Sequence, residues 1–142
     1  MNEVIIKRLI EEAKAARKYS YCPYSNYAVG AALLTNDDTI YRGCNIENAA
    51  YSPAMCAERT AMFKAVSEGK MDFKAIAVVG YPVGGSPDKG EYAAPCGVCR
   101  QVMAEWVGDD FPVIMANDVD DYKVSPFKEV LPMAFGPKNL RG

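Results

Sequence analysis

The run Cys56-Ala57-Glu58-Arg59-Thr60-Ala61-Met62-Phe63-Lys64-Ala65-Val66-Ser67-Glu68-Gly69, followed by Phe73-Lys74-Ala75-Ile76-Ala77-Val78-Val79, decides the fold. Its first part has helical spacing from Cys56 to Glu68, and Gly69 is a natural C-cap. Its second part is nearly all apolar, as in a strand buried on both faces. Upstream, Ala28 to Leu34 is a short apolar run and Thr39 to Cys44 alternates. Asn36-Asp37-Asp38 between them is turn chemistry, so a β-hairpin is expected. Residues 45–55 read as a loop. Residues 3–19 form an amphipathic helix, with apolar groups at Ile5, Leu9, Ala13 and Ala16, and Ile6 and Ile10 beside them. Glu11, Glu12, Lys14 and Arg17 are left for solvent. Tyr21-Cys22-Pro23-Tyr24-Ser25-Asn26 breaks this helix.

Downstream, Gly80 to Pro95 is rich in Gly and Pro and reads as a long loop. Cys96 to Val107 is a second helix and Pro112 to Ala116 a strand. An acidic turn at Asp118, Asp120 and Asp121 leads to a short strand over Tyr122–Val124. Ser125 as N-cap and Pro126 at the first position open a short helix that stops before Pro132. The order implies an α/β fold: a mixed five-stranded sheet with helices on both faces, forming one domain over residues 1–142.

The 142 residues are 50% hydrophobic and 24% charged, with a formal net charge of -2. Lys and Arg are interspersed with acids. Nucleic acid is therefore not an expected partner, since tracking phosphates needs concentrated positive charge. The apolar runs fall far short of the ~20 residues that span a bilayer, so no membrane partner is expected either. The N-terminus lacks a secretory pattern, which points to the cytoplasm, where thiols stay reduced. Five cysteines are an odd number, which favours metal binding or catalysis over a disulfide framework. The absence of histidine excludes Ser-His-Asp and Cys-His catalysis and any zinc site with an imidazole ligand.

Cys96-Gly97-Val98-Cys99 is a chelating pair, because one helical turn brings both sulfurs to one point. Alone it is as compatible with a redox pair. Cys56-Ala57-Glu58 puts a thiol at a helix N-terminus, where free N–H groups and the helix dipole favour the thiolate. Glu58 lies in the same first turn. Together the motifs offer three thiolates and an open fourth position, as in catalytic zinc sites. A fourth cysteine ligand would instead make a structural, non-catalytic zinc module. Cys22 and Cys44 are available by count but lack chelate spacing and read as small packing residues.

Cys56-Ala57-Glu58 followed by Pro95-Cys96-Gly97-Val98-Cys99 resembles the signature of the cytidine deaminases. The resemblance extends through Cys22-Pro23-Tyr24-Ser25-Asn26-Tyr27, Gly43-Cys44-Asn45-Ile46-Glu47-Asn48-Ala49 and Leu131-Pro132-Met133-Ala134-Phe135, and so covers nearly the whole chain. It is strongest to the short, homotetrameric type with three cysteine ligands. It implies the three-layer deaminase fold, one Zn2+ per chain held by Cys56, Cys96 and Cys99, and Glu58 as the proton shuttle. It further implies that Arg59 hydrogen-bonds the thiolates and that Asn45 and Glu47 hold the ribose. The Ala57 carbonyl would accept from the base amino group. Tyr51 and Phe135 would be aromatics contributed across subunit contacts, in a homotetramer with shared active sites. Tyr27 stands where the family has Phe, and its added hydroxyl needs a partner. The Gly80–Pro95 loop is several residues longer than the family's.

The activity implied is hydrolysis of cytidine, and of 2'-deoxycytidine, to uridine or deoxyuridine plus ammonia, a pyrimidine-salvage reaction. Deaminases of other small aminopyrimidines, such as the blasticidin-S type, share the fold. Asn45 with Glu47, and the Cys56-Ala57-Glu58-Arg59 run, favour the nucleoside. Three thiolates leave zinc with a formal charge of -1, which the two helix N-termini and Arg59 would offset.

Overall fold

The structure, a computed structural model, describes residues 1–141. Helix α1 spans Glu3–Arg17 and begins at Asn2, whose side chain accepts from the Val4 N–H at 2.7 Å. Strands β1 (Tyr27–Thr35) and β2 (Ile40–Cys44) form the expected antiparallel hairpin, with Leu34 opposite Ile40. Then come α2 (Ala57–Ser67), β3 (Phe73–Pro82), α3 (Gly97–Met103), β4 (Pro112–Asp118), β5 (Asp121–Pro126), α4 (Phe127–Val130) and α5 (Pro137–Arg141). The sheet order is β2-β1-β3-β4-β5, with β3 and β4 parallel and the other neighbours antiparallel. Among the described residues no helix is long and apolar enough to cross a membrane.

Alternation along the strands divides the core in two. Ala32, Leu34, Ala77 and Val79 face α1, where they meet Ile6, Leu9, Ile10 and Ala13. Ala31, Leu33, Ile76 and Val113 face the other way, onto Ala61, Met62 and Ala65 of α2, Met103 of α3 and Phe127 of α4. Helices therefore cover both faces, as period-two strands with two apolar sides require. Two glycines set the layer spacing. A methyl at residue 30 would come 1.9 Å from the Ala13 carbonyl oxygen, and one at residue 43 would come 2.3 Å from that of Ala57. Gly30 thus admits α1, and Gly43 admits the N-terminus of α2.

Several expectations need correction. The buried stripe of α1 is Ile6, Leu9, Ile10, Ala13 and Ala16, spaced three and four apart, and Ile5 is exposed. Arg17 is not left to solvent. Its guanidinium stacks on the Tyr81 ring and donates to the Ala28 and Tyr81 carbonyls, tying α1 to β1 and β3. Helix α3 ends at Met103 rather than Val107, and Trp106 turns inward to meet Phe73 edge-on. Ser125 and Pro126 belong to β5, opposite Val113 and Pro112. Pro126 is tolerated there because β5 is an edge strand, and it caps α4 instead of starting it. Helix α5 was not expected from the sequence. It buries none of its residues and so has no amphipathic pattern to read.

Candidate active site

Cys56 and Cys96 are the N-caps of α2 and α3, both with extended backbone, and Cys99 lies in the first turn of α3. The two helices therefore point their N-termini at one place. The three sulfurs lie within 4.8 Å of one another, and Cys56 Sγ is 3.6 Å from Cys96 Sγ. A tetrahedron with bonds of about 2.3 Å has edges of roughly 3.8 Å, so the spacing suits zinc. All five cysteines are free. Among the described residues, neither Cys22 nor Cys44 joins the cluster. Among the described residues the cluster therefore offers three thiol ligands.

Charge is managed by the same elements. Arg59, three residues into the α2 turn, donates to Cys56 Sγ at 3.3 Å, and its Nε is buried without a partner. The Cys56 thiol is drawn down to about 5, first by a hydrogen bond from Cys99 and then by those from Arg59 and Cys96. Cys99 is raised correspondingly, as the donor to Cys56 and as a buried thiol. A metal in the cluster displaces these protons. Glu58 is 4% exposed, and burial pushes its carboxyl up to about 7, with the neighbouring Cys56 charge adding to the rise. A group poised there both accepts and donates a proton near neutrality.

The cluster opens into a cleft of about 570 Å³, within the range of small-molecule sites. Tyr27, Asn45, Glu47, Tyr51, Ala57, Glu58 and Arg59 all line it beside Cys56 and Cys96. The far end is built around Glu47. Its Oε1 accepts from the N–H groups of Tyr24 and Ser25 at 2.9 and 3.1 Å, and Oε2 accepts from the Ser25 hydroxyl. Asn45 accepts from the Val29 N–H at 2.9 Å and donates to the Tyr27 carbonyl at 2.8 Å, which leaves one amide proton of its side chain free. The Tyr27 hydroxyl has the partner it needs, the Gly80 carbonyl at 3.0 Å. Residues 45–55, expected as a loop, are pinned by paired hydrogen bonds between Ile46 and Met55.

Two expected residues stand apart. Tyr51 reaches the cleft rim but is 90% exposed. Phe135 is 57% exposed and does not line the cleft of its own chain. The residues that sequence reasoning missed are the apolar lining: Val29, Ala54, Met55, Val78, Ala93 and Ala94. Alternation from Tyr27 points to Val29, whereas nothing local marks Ala93 and Ala94, which the long loop delivers.

An open mixed α/β sheet with three thiols and a buried carboxylate at two helix N-termini defines a zinc-type deaminase site. In keeping with this, the family model for the cytidine and deoxycytidylate deaminase zinc-binding region matches residues 4–115. A cytidine deaminase of Sporosarcina psychrophila is 49% identical over 135 residues, 95% of this chain and 94% of that protein. One from Halalkalibacterium halodurans is 48% identical over 93% of this chain and 95% of its own. The crystal structure of cytidine deaminase from Burkholderia pseudomallei superposes with a TM-score of 0.80 at 48% identity, covering 90% of this chain and 97% of that one. The chain belongs to the cytidine deaminase family, and its metal is zinc, for which Cys56, Cys96 and Cys99 have the right chemistry and spacing.

Proposed function

We propose that this chain hydrolyses cytidine, and 2'-deoxycytidine, to uridine or deoxyuridine and ammonia, in pyrimidine salvage. The observation that carries the reading is a buried carboxylate, Glu58, in one cleft with a three-thiol cluster and an oriented amide-carboxylate pair. Zinc, when bound, supplies the Lewis acidity that makes water a nucleophile near neutral pH. The protein's own groups do the rest. Glu58 takes a proton from the attacking water and delivers it to ring N3, which makes C4 electrophilic. It then carries a proton to the exocyclic amino group, and ammonia departs. Arg59 offsets the thiolate charge. Glu47 and the free amide proton of Asn45 hold ribose hydroxyls, and Tyr27 packs against the nucleoside.

Ala57 contributes differently from the sequence expectation. Its carbonyl is turned into α2 and against Gly43, whereas its N–H, at the first helical position, has no intrahelical partner. The contact to the base is therefore assigned to the Ala57 N–H, which suits a carbonyl oxygen. The test of the activity is ultraviolet. Cytidine absorbance should shift to that of uridine with parent protein, cease after a zinc chelator and return with zinc. No shift with zinc-loaded protein would sink the reading.

Five free cysteines, three of them in a metal-ligand cluster, suit a reducing compartment, and we place the enzyme in the cytoplasm. We further propose a homotetramer with shared sites. Phe135 and Tyr51, among several exposed aromatics, are free to reach a neighbouring chain. Stacking on a pyrimidine adds roughly 0.5–1.5 kcal/mol beyond area burial. Glu58→Ala and Phe135→Ala proteins, unfolded and refolded together with zinc, should regain activity above the mean of the two refolded separately. Verified hetero-oligomers at that mean would assign Phe135 to its own chain.

A further inference from the structure

The long connection from β3 to α3 carries Ala93 and Ala94 to the cleft wall and ends at Cys96. A Gly-rich segment of this length, with left-handed backbone at Gly84 and Gly90, has high entropy when free. It is nevertheless tied down at its middle by two side chains flanking the β4–β5 turn, Asp121 and Asn117. Asp121, the first residue of β5, accepts from the Tyr92 hydroxyl at 2.7 Å and from the Gly90 N–H at 3.2 Å. Asn117, 4% exposed in β4, donates to Asp121 at 3.0 Å and to the Asp88 carbonyl at 2.9 Å. These bonds hold the Asp121 carboxyl below the usual carboxylate range, the one from Asn117 most.

Three anchored residues, Asp88, Gly90 and Tyr92, thus immediately precede Ala93. On its other side Ala93 lies against Gly80, where an added methyl would meet the Ala93 side chain at 3.1 Å and the Tyr27 ring at 3.2 Å. The segment's exit is fixed separately, since Arg100 donates to the Pro95 carbonyl at 2.7 Å and the Val130 carbonyl at 2.8 Å. Ala93 and Ala94 therefore sit between two clamps. We infer that Asp121 is a positioning residue for the nucleoside cleft: with Asn117 and Tyr92 it presets the Ala93–Ala94 wall, so that substrate meets a fixed surface instead of ordering the loop on binding. This rests on the nucleoside reading above. A preset wall removes an ordering cost from substrate binding, so its loss falls on KM, while Glu58 and the thiol cluster, held by α2 and α3, keep kcat.

The test uses the zinc-loaded enzyme and three variants: Asp121→Ala, which removes all three acceptances, Tyr92→Phe, which removes one, and Asp121→Asn, whose amide oxygen still serves the two N–H donors. Exposed Lys89 lies between anchored Asp88 and Gly90, so trypsin cleavage after Lys89 reports local opening of the segment. Asp121→Ala is expected to raise that cleavage rate roughly tenfold and KM for cytidine roughly three- to tenfold, with kcat within about twofold and zinc content unchanged. Tyr92→Phe should move both in the same direction by less, and Asp121→Asn should restore most of each. Faster cleavage with unchanged KM, unchanged cleavage, or a KM rise accompanied by zinc loss would each overturn the role given to Asp121. If Asp121→Ala does not fold, the Tyr92→Phe and Asp121→Asn pair decides by the same criteria. A parent enzyme that leaves cytidine untouched defeats the proposed activity and this role with it, whereas parent turnover with an indifferent Asp121→Ala defeats the role alone.

Discussion

Cys56→Ala, Cys96→Ala and Cys99→Ala proteins are each expected to purify with a small fraction of the parent's zinc and no measurable turnover. Cys22→Ala and Cys44→Ala should keep about one zinc per chain. The asymmetry follows from geometry. The first three sulfurs converge within 4.8 Å, on two helix N-termini, with Arg59 donating to one of them. A site with only three protein ligands cannot replace one from within, and two thiolates leave the guanidinium and both helix ends without their full counter-charge. Cys22 and Cys44 are instead thiols that burial pushes up, and their loss removes packing volume only. Metal content after extensive dialysis, measured with zinc titration of the released thiols, separates the two groups. Zinc lost from Cys22→Ala or Cys44→Ala, with a Cys96→Ala protein still loaded, would overturn the ligand assignment.

The parts of this molecule that the sequence makes legible are those set by neighbouring residues. The hairpin, both helix starts at cysteine and the buried β3 run depend on local period and cap chemistry, and so they appear in the structure nearly where the pattern puts them. Cys96 and Cys99 are a single helical turn, so their convergence is readable directly. That Cys56 meets them is a tertiary fact, and only the pairing of motifs anticipates it. What escaped is long-range. Arg17 reads as a solvent-facing charge because nothing in α1 announces the Tyr81 ring or the Ala28 and Tyr81 carbonyls that receive it. The clamp on the long loop joins Tyr92 to Asp121, 29 residues apart, through residue types that would be ordinary on any turn. Ser125-Pro126 illustrates a competition between two legitimate signals. It has the form of a helix start, but pairing with Pro112 and Val113 at a sheet edge outweighs the cap, and the helix begins one residue later.

Glu58 is where stability and chemistry pull in opposite directions, and its removal is expected to show both. Glu58→Ala and Glu58→Gln should retain zinc and fold, since neither side chain is a metal ligand nor the N-cap of α2. Turnover should fall by at least ~10²-fold in each, as for loss of a general acid-base group. Glutamine is the sharper variant, because it keeps the volume and loses only the titrating proton. The folded protein disfavours the carboxylate here, raising it from 4.5 to about 7 by desolvation. For a carboxyl raised in this way, the folded state binds the extra proton between those values. Its charge therefore costs stability above pH 7, and the cost vanishes as pH falls below 4.5. Glu58→Gln should accordingly be at least as stable as the parent at pH 8, with the difference closing toward pH 4, in thermal melts of the two proteins compared at matched metal content. A variant that loses activity together with stability at pH 8 would make Glu58 a structural residue. Near-parent turnover would remove it from the reaction altogether. Activity lost with stability retained is the combination that a buried proton shuttle, kept for its chemistry at the expense of the fold, produces.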